Sequence, residues 1–231
     1  MQVWADQGHS HQGQPVRAVL AAPVGLRDCH TYSHRCSVMR FPTVLALASD
    51  LSAGRTTSRR LVEQCLTRIN DPKGEGARAF TKVYADAALA EADASDKLRA
   101  LGVVRSPVEG IPISVKDLFD VAGDRTLAGS KALRSAAPAT ADAPAVARLR
   151  AAGAIIVGRT GMVEFAFGGV GINPHYGTPK NPWDRASGGR IPGGSSSGAA
   201  VAVADGMCAN PDPNPNPDPN PNLHPNPNPN H

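Results

Sequence analysis

Asp142-Ala143-Pro144-Ala145-Val146-Ala147-Arg148-Leu149-Arg150-Ala151-Ala152-Gly153, followed by Ala154-Ile155-Ile156-Val157, reads as a helix running straight into a strand. Asp142 is of the residue type that accepts hydrogen bonds from the free N–H groups of a first turn. Pro144 suits that turn because the N–H it lacks would have had no helical partner. Val146, Ala147 and Leu149 are expected to face inward, and Gly153 to end the helix. Residues 154–157 form a short apolar run without polar alternation, the pattern of a strand covered on both faces. Upstream, Ile111 to Val115 is a second buried-strand candidate, and it delivers Lys116 at its end. This strand–helix–strand rhythm predicts an α/β fold: a layered mixed, largely parallel sheet flanked by helices.

Further elements follow outward from this unit. Leu61, Val62, Cys65, Leu66 and Ile69 recur on one helical face from Ser58 onward; Thr57 or Ser58 can cap that helix, and Asn70-Asp71-Pro72-Lys73-Gly74 ends it. Ala79 to Tyr84 is a short β-prone run, and Asp86 to Leu101 is an Ala-rich helix closed by Gly102. Val44, Leu45, Leu47 and Leu51 are spaced for a helix just after Met39. Residues 168–190, rich in Gly, Pro and Asn, read as one long loop, a length that points to function.

Composition narrows the classes. The chain has 231 residues, 41% hydrophobic but only 4% aromatic, so its core rests on Ala, Val, Leu and Ile. The formal charge of +4 comes from scattered basic residues, with no stripe interleaved with aromatics, which argues against a nucleic-acid partner. No apolar run approaches the roughly 18 residues of a membrane helix. The polar N-terminus, with Val16 to Leu26 broken by Arg17, Pro23 and Gly25, is no secretory signal. Cysteines 29, 36, 65 and 208 are few and unevenly spaced, which suits a reduced cytoplasm. Cys29, His30, His34 and Cys36 fit no common zinc spacing, and no metal or organic cofactor is expected.

The chemistry concentrates in Ile191-Pro192-Gly193-Gly194-Ser195-Ser196-Ser197-Gly198, which runs into the Ala-rich residues 199–204. The two glycines permit positive φ and a close backbone approach, and the three hydroxyls sit where a helix start needs acceptors. Simple N-capping is one reading of all three serines. Another is a nucleophile elbow, Gly-x-Ser-x-Gly with Ser196 attacking, but residues 187–192 do not read as the strand that this motif requires. A phosphate-binding P-loop is excluded because no Gly-Lys-Ser/Thr follows. Lys116 reads either as a surface lysine paired with Asp117 or Asp120, or as an amine whose burial lowers its pKa enough for it to act as a base. Gly168-Gly169-Val170-Gly171 is a phosphate loop or a flexible linker. Asn181-Pro182-Trp183 is expected to be structural, its indole burying a large area.

Four segments occur together in order: Gly110-Ile111-Pro112-Ile113-Ser114-Val115-Lys116-Asp117, Gly158-Arg159-Thr160-Gly161-Met162-Val163-Glu164-Phe165-Ala166, Tyr176-Gly177-Thr178-Pro179-Lys180-Asn181-Pro182-Trp183, and the Gly-Gly-Ser-Ser-Ser-Gly loop. From about Ser58 to Ala209 the chain resembles the amidase signature family, the Ser-cisSer-Lys amide hydrolases. The resemblance implies that Lys116 is the base and that Ser195, following a cis peptide bond, relays a proton between it and a nucleophile. It further implies that Gly193, Gly194, Ser196 and Ser197 support this loop, and that Gly168 and Gly169 touch substrate. The implied partner is a small-molecule amide; the implied assembly is a homodimer or a complex with an amidotransferase partner subunit. The alternatives are an A-subunit-like component of a tRNA-dependent amidotransferase and a non-catalytic binding remnant.

The nucleophile departs from the pattern. The resemblance places the attacking serine in a Gly-Gly-Ser loop roughly two dozen residues beyond Ser195, yet no serine follows Ser197. Residues 210–231 are instead almost all Pro and Asn, a composition that cannot build a core. The expected organisation is an unstructured leader over 1–38 (with Met39 a natural start), the N-terminal part of an amidase domain over 39–209, and a disordered low-complexity tail over 210–231. A frameshift near codon 209 would account for the change. A truncated, inactive form with an open sheet edge and low stability is the expectation.

Overall fold

A computed structural model of the chain describes residues 42–209, apart from 184 and 188. The leader, with Cys29, His30, His34 and Cys36, and the Pro/Asn tail lie outside the described residues. Among the described residues, six helices and three strands follow in order: α1 (Val44–Ser52), α2 (Ser58–Ile69), α3 (Gly76–Ala79), β1 (Phe80–Val83), α4 (Ala85–Ala100), β2 (Pro112–Lys116), α5 (Pro144–Ala151), β3 (Ile155–Thr160) and α6 (Ser197–Ala204). Short 3-10 turns occupy Ala132–Ser135, Glu164–Ala166 and Arg185–Ser187.

The sheet has the order β1-β3-β2. β2 runs parallel to β3, with Pro112 opposite Ile155 and Lys116 opposite Thr160. β1 runs antiparallel to it, with Phe80 opposite Thr160 and Val83 opposite Gly158. The sheet is therefore mixed rather than largely parallel. β1 leads directly into α4, which continues from its end, so the chain enters the sheet in the direction opposite to β2 and β3.

Every residue of β3 is buried; the apolar run predicts this for 155–157, and Gly158, Arg159 and Thr160 are buried beyond it. Alternation sorts its side chains between two layers. Ile155 and Val157 join Leu47, Leu51, Leu61, Val62, Cys65, Ala88, Ala92 and Ala202 in the larger core, formed with α1, α2, α4 and α6. Ile156 joins Val115, Val121 and Val146 on the other face, under α5. Each fully buried side chain of the Val, Leu or Ile type contributes about 1.5–3 kcal/mol of transfer free energy. Ala88, Ala92 and Ser95 make a small-residue stripe on α4 that lets α2 lie close against it. The N-terminus of α2 is satisfied twice. Thr57 Oγ1 accepts from the amide of Arg60 at 3.1 Å, and the carboxylate of Asp96 accepts from the amides of Ser58 and Arg59.

Several local expectations change. Asp142 does not cap α5: the cap position is Ala143, while Asp142 accepts from the amide of Ala122 and pairs with Arg150. Of the three residues expected to face inward on α5, only Val146 is buried; Ala147 and Leu149 are exposed, because one layer of core covers this short helix. Trp183 is 63% exposed rather than buried. Among its described residues, the loop over 168–190 has no regular structure beyond the 3-10 turn Arg185–Ser187. Among the described residues no helix is long and apolar enough to cross a membrane.

Candidate active site

Lys116 ends β2, and the ladder to β3 continues one residue past it, with the amide of Asp117 donating to the carbonyl of Thr160 at 3.0 Å. The strand end is thus fixed on both sides of the lysine. Its Nζ donates to Ser195 Oγ at 2.6 Å, bridging residues 79 positions apart in sequence. Neither Asp117 nor Asp120 pairs with it: Asp117 faces Arg159, and Asp120 accepts from Thr126. Partial burial without a carboxylate lowers the Lys116 pKa below the ordinary lysine value.

The Ser195 loop is held by main-chain bonds to the segment that leaves β3. The amide of Val163 donates to the Ser195 carbonyl at 3.0 Å, and the amide of Gly198 donates to the Gly161 carbonyl at 2.9 Å. The amide of Gly161 in turn donates to Ala79 at 2.8 Å. Gly198 has no alternative at its position, since a Cβ there would run into the Ala79 carbonyl and the backbone of Gly161. The Gly194–Ser195 peptide bond is cis. Of the two glycines before Ser195, only Gly193 takes positive φ.

The remaining predicted residues fall around this loop. Ser196 occupies the cap position of α6 but makes no side-chain capping bond, and Ser197 is buried in the first turn. Hydroxyl capping is therefore not what these serines do here. Among the described residues of 187–192 there is no strand, which removes the nucleophile-elbow reading of Ser196. Gly168 approaches the loop, its carbonyl 3.0 Å from the Cβ position of Gly194, whereas the Cβ direction of Gly169 is open space. Gly171, at φ +87°, packs where a Cβ would strike the Gly193 carbonyl.

Two polar assemblies around the site were not visible in the motifs. Arg159 and Asp117 are almost fully buried, with side chains 2% and 1% exposed. Arg159 donates through Nε to Asp117 at 2.8 Å and through Nη2 to the Phe119 carbonyl at 2.9 Å, clasping the turn that follows Lys116. Burial raises the Asp117 pKa, and the Arg159 guanidinium pulls it back. The available signal was a charged residue closing an apolar strand. Asn173, also buried, donates to the carbonyls of Gly129 and Met162 and accepts from the amides of His175 and Tyr176. It thereby ties the loop over 168–190 to the residue preceding Val163.

An amine and a hydroxyl at 2.6 Å, with no carboxylate on the amine, can pass a proton between neutral groups. The family model described as Amidase matches residues 60–210. The chain belongs to the amidase family. It is 47% identical over 157 residues to AtzE, the 1-carboxybiuret hydrolase subunit of Pseudomonas sp. (strain ADP), in an alignment covering 68% of this chain and 34% of that protein. It is 43% identical over 169 residues to the A-subunit of the glutamyl-tRNA(Gln) amidotransferase of Chromohalobacter salexigens, covering 73% and 34%. Among solved structures, a vestigial protein complex bearing on the origins of an s-triazine catabolic enzyme superimposes with a TM-score of 0.67 at 44% identity, covering 72% of this chain and 36% of that one. The peptide amidase of Stenotrophomonas maltophilia gives 0.62 at 38% identity, covering 72% and 34%. The chain spans about a third of the length of the curated relatives it matches. Among the described residues, no group of three or more His, Cys, Asp or Glu side chains is placed to hold a metal.

Proposed function

We propose that this chain carries the base and relay of a carboxamide hydrolase working through a Ser-cisSer-Lys triad. The single observation behind this is the 2.6 Å contact between Lys116 Nζ and Ser195 Oγ. Neutral Lys116 takes the proton of the Ser195 hydroxyl as Ser195 takes that of an attacking serine. The attacking oxygen then adds to the carboxamide carbon, and the proton returns by the same two groups to the departing amine or ammonia. Gly193, Gly194, Ser196 and Ser197 shape the relay loop, and Gly168 and Gly169 edge the substrate side.

No residue from Ser196 to His231 supplies the attacking serine in a Gly-Gly-Ser setting. The 231-residue polypeptide is therefore proposed to be inactive. The test is ammonia release from small primary amides by the purified polypeptide. The expected result is no release above that of Lys116→Ala; turnover that Lys116→Ala abolishes overturns it. Labelling of Ser195 by a serine-directed fluorophosphonate would assign Ser195 itself as nucleophile and overturn the relay role.

The similarity to an amidotransferase A-subunit favours one second reading, a component that works with a partner protein. Stable co-purification with a second subunit would support it, and retention of an amide ligand without turnover would point instead to a binding remnant. The buried free thiols Cys65 and Cys208 suit a reduced, cytoplasmic setting.

A further inference from the structure

The carboxamide of Asn173 is buried and makes four hydrogen bonds, two received and two given. The two received are local. Oδ1 accepts from the amides of His175 at 2.8 Å and Tyr176 at 3.0 Å, the ordinary way an Asn shapes a turn within its own loop. The two given leave that loop. Nδ2 donates to the carbonyl of Gly129 at 2.8 Å and to that of Met162 at 2.6 Å. A glycine makes room for this: a Cβ on Gly129, at φ +68°, would lie 2.8 Å from Nδ2. Each of the two segments reached is bonded to one side of the Lys116–Ser195 pair. Ala128, the neighbour of Gly129, donates its amide to the carbonyl of Asp117 at 2.9 Å, in the turn that starts at Lys116. The Met162 carbonyl belongs to the same peptide group as the Val163 amide, which donates to the Ser195 carbonyl at 3.0 Å. One planar unit is thus held by Asn173 at one edge and holds Ser195 at the other. The main chain also links the two segments, through the Phe165 amide and the Ala128 carbonyl at 2.8 Å. One hydrogen bond leaves two segments free to pivot, whereas a second tie away from it fixes their attitude.

We propose that Asn173 is a positioning residue for the proton relay: its side chain braces the turn after Lys116 against the segment that holds the Ser195 loop. The brace fixes how the Ser195 hydroxyl meets the Lys116 amine. This role rests on the reading of Lys116 and Ser195 as base and relay. Shaping the turn needs only the Oδ1 bonds, so the Nδ2 pair is what the positioning role adds. Without the brace the 162–163 peptide tilts, the Ser195 loop draws back, and water reaches an amine whose partial burial holds its pKa below the ordinary lysine value. Burial causes that shift. The nearby charges are engaged with one another, Asp117 with Arg159 and Glu164 with His175. The titration of Lys116 therefore reports how closely the Ser195 loop covers it.

NMR titration of the full 231-residue protein with isotopically labelled lysine side chains tests it, the Lys116 signal being assigned by its loss in Lys116→Met. Two variants remove the brace. Asn173→Ser keeps a hydroxyl that can serve the turn, but its one O–H cannot donate to both carbonyls. Asn173→Ala removes the polar group altogether, and the serine variant carries the test if the alanine variant does not fold. Thr178→Val is the control. It loosens the same loop by removing the hydroxyl that accepts from the Asn173 amide at 2.9 Å, and leaves the carboxamide in place. The Lys116 pKa is expected to rise toward the ordinary lysine value in the Asn173 variants, with unchanged far-UV spectra, and to stay where it is in Thr178→Val. An unmoved or lower value in Asn173→Ser, or an equal rise in Thr178→Val, overturns the positioning role and leaves the base reading standing. A Lys116 that already titrates at the ordinary value in the unmodified protein overturns the base reading, and the positioning role with it.

Discussion

At the end of β2, Lys116 donates to a neutral hydroxyl, while the next residue, Asp117, is clasped by a buried arginine. The two side chains leave one strand end in opposite directions, as consecutive residues must. On the Ser195 side there is an amine without a counter-ion, and partial burial lowers its pKa. On the Arg159 side there is a buried ion pair that anchors the following turn. The contrast separates two uses of charge in a dry place. A charge that holds structure is paired, whereas the amine proposed as the base has no partner that would keep it protonated.

Breaking the paired side should have the largest effect. Arg159→Met leaves Asp117 buried and uncompensated and frees the Phe119 carbonyl, so it is expected to cost about 3–5 kcal/mol in a urea unfolding curve. Asn173→Ala should come next. It strands two carbonyls and two amides at the base of the long loop, at about 2–3 kcal/mol in the same measurement. The unpaired side should respond least in stability and most in pH dependence. Lys116→Met is expected to shift stability by less than about 1 kcal/mol near neutral pH, because no counter-ion is orphaned. The folded-state pKa of Lys116 lies below its unfolded value, so between the two the unfolded chain binds more protons and stability rises with pH. This contribution is fully present above the unfolded value and is lost as pH falls through the folded one. Subtracting the Lys116→Met stability–pH curve from that of the unmodified chain should expose a rise over that window. A flat difference would place the lysine in a fully solvated setting.

Much of this contrast could be read from the residues, and the reason is local. Apolar runs at 111–115 and 154–157 mark strands because nothing else buries so much aliphatic surface in so few residues. The Gly-Gly-Ser-Ser-Ser-Gly loop and the strand-ending lysine were legible as candidates, and the resemblance joined them. What the sequence concealed depends on pairings across long separations. Arg159 reads as a polar end to a strand until Asp117, 42 residues away, is known to face it. Asn173 looks like one more loop residue among glycines and prolines until its four partners are in place. The capping roles of Asp142 and the loop serines failed for the opposite reason. Local propensity offered a bond, but tertiary partners took the side chain, or the main chain met the need itself. The antiparallel β1 was equally hidden, because a four-residue strand carries no mark of its direction.

The amide of Ala209, just past α6, donates to the carbonyl of Pro112 at the start of β2. Together with the β2–β3 ladder and the two bonds from Gly161 and Val163 to the Ser195 loop, it closes a ring of main-chain links through both chemical groups. A closed ring has no free hinge. The lysine and the serine cannot be drawn apart by rotating any one joint, so their separation behaves as a dimension of the framework and not as a setting of a movable loop.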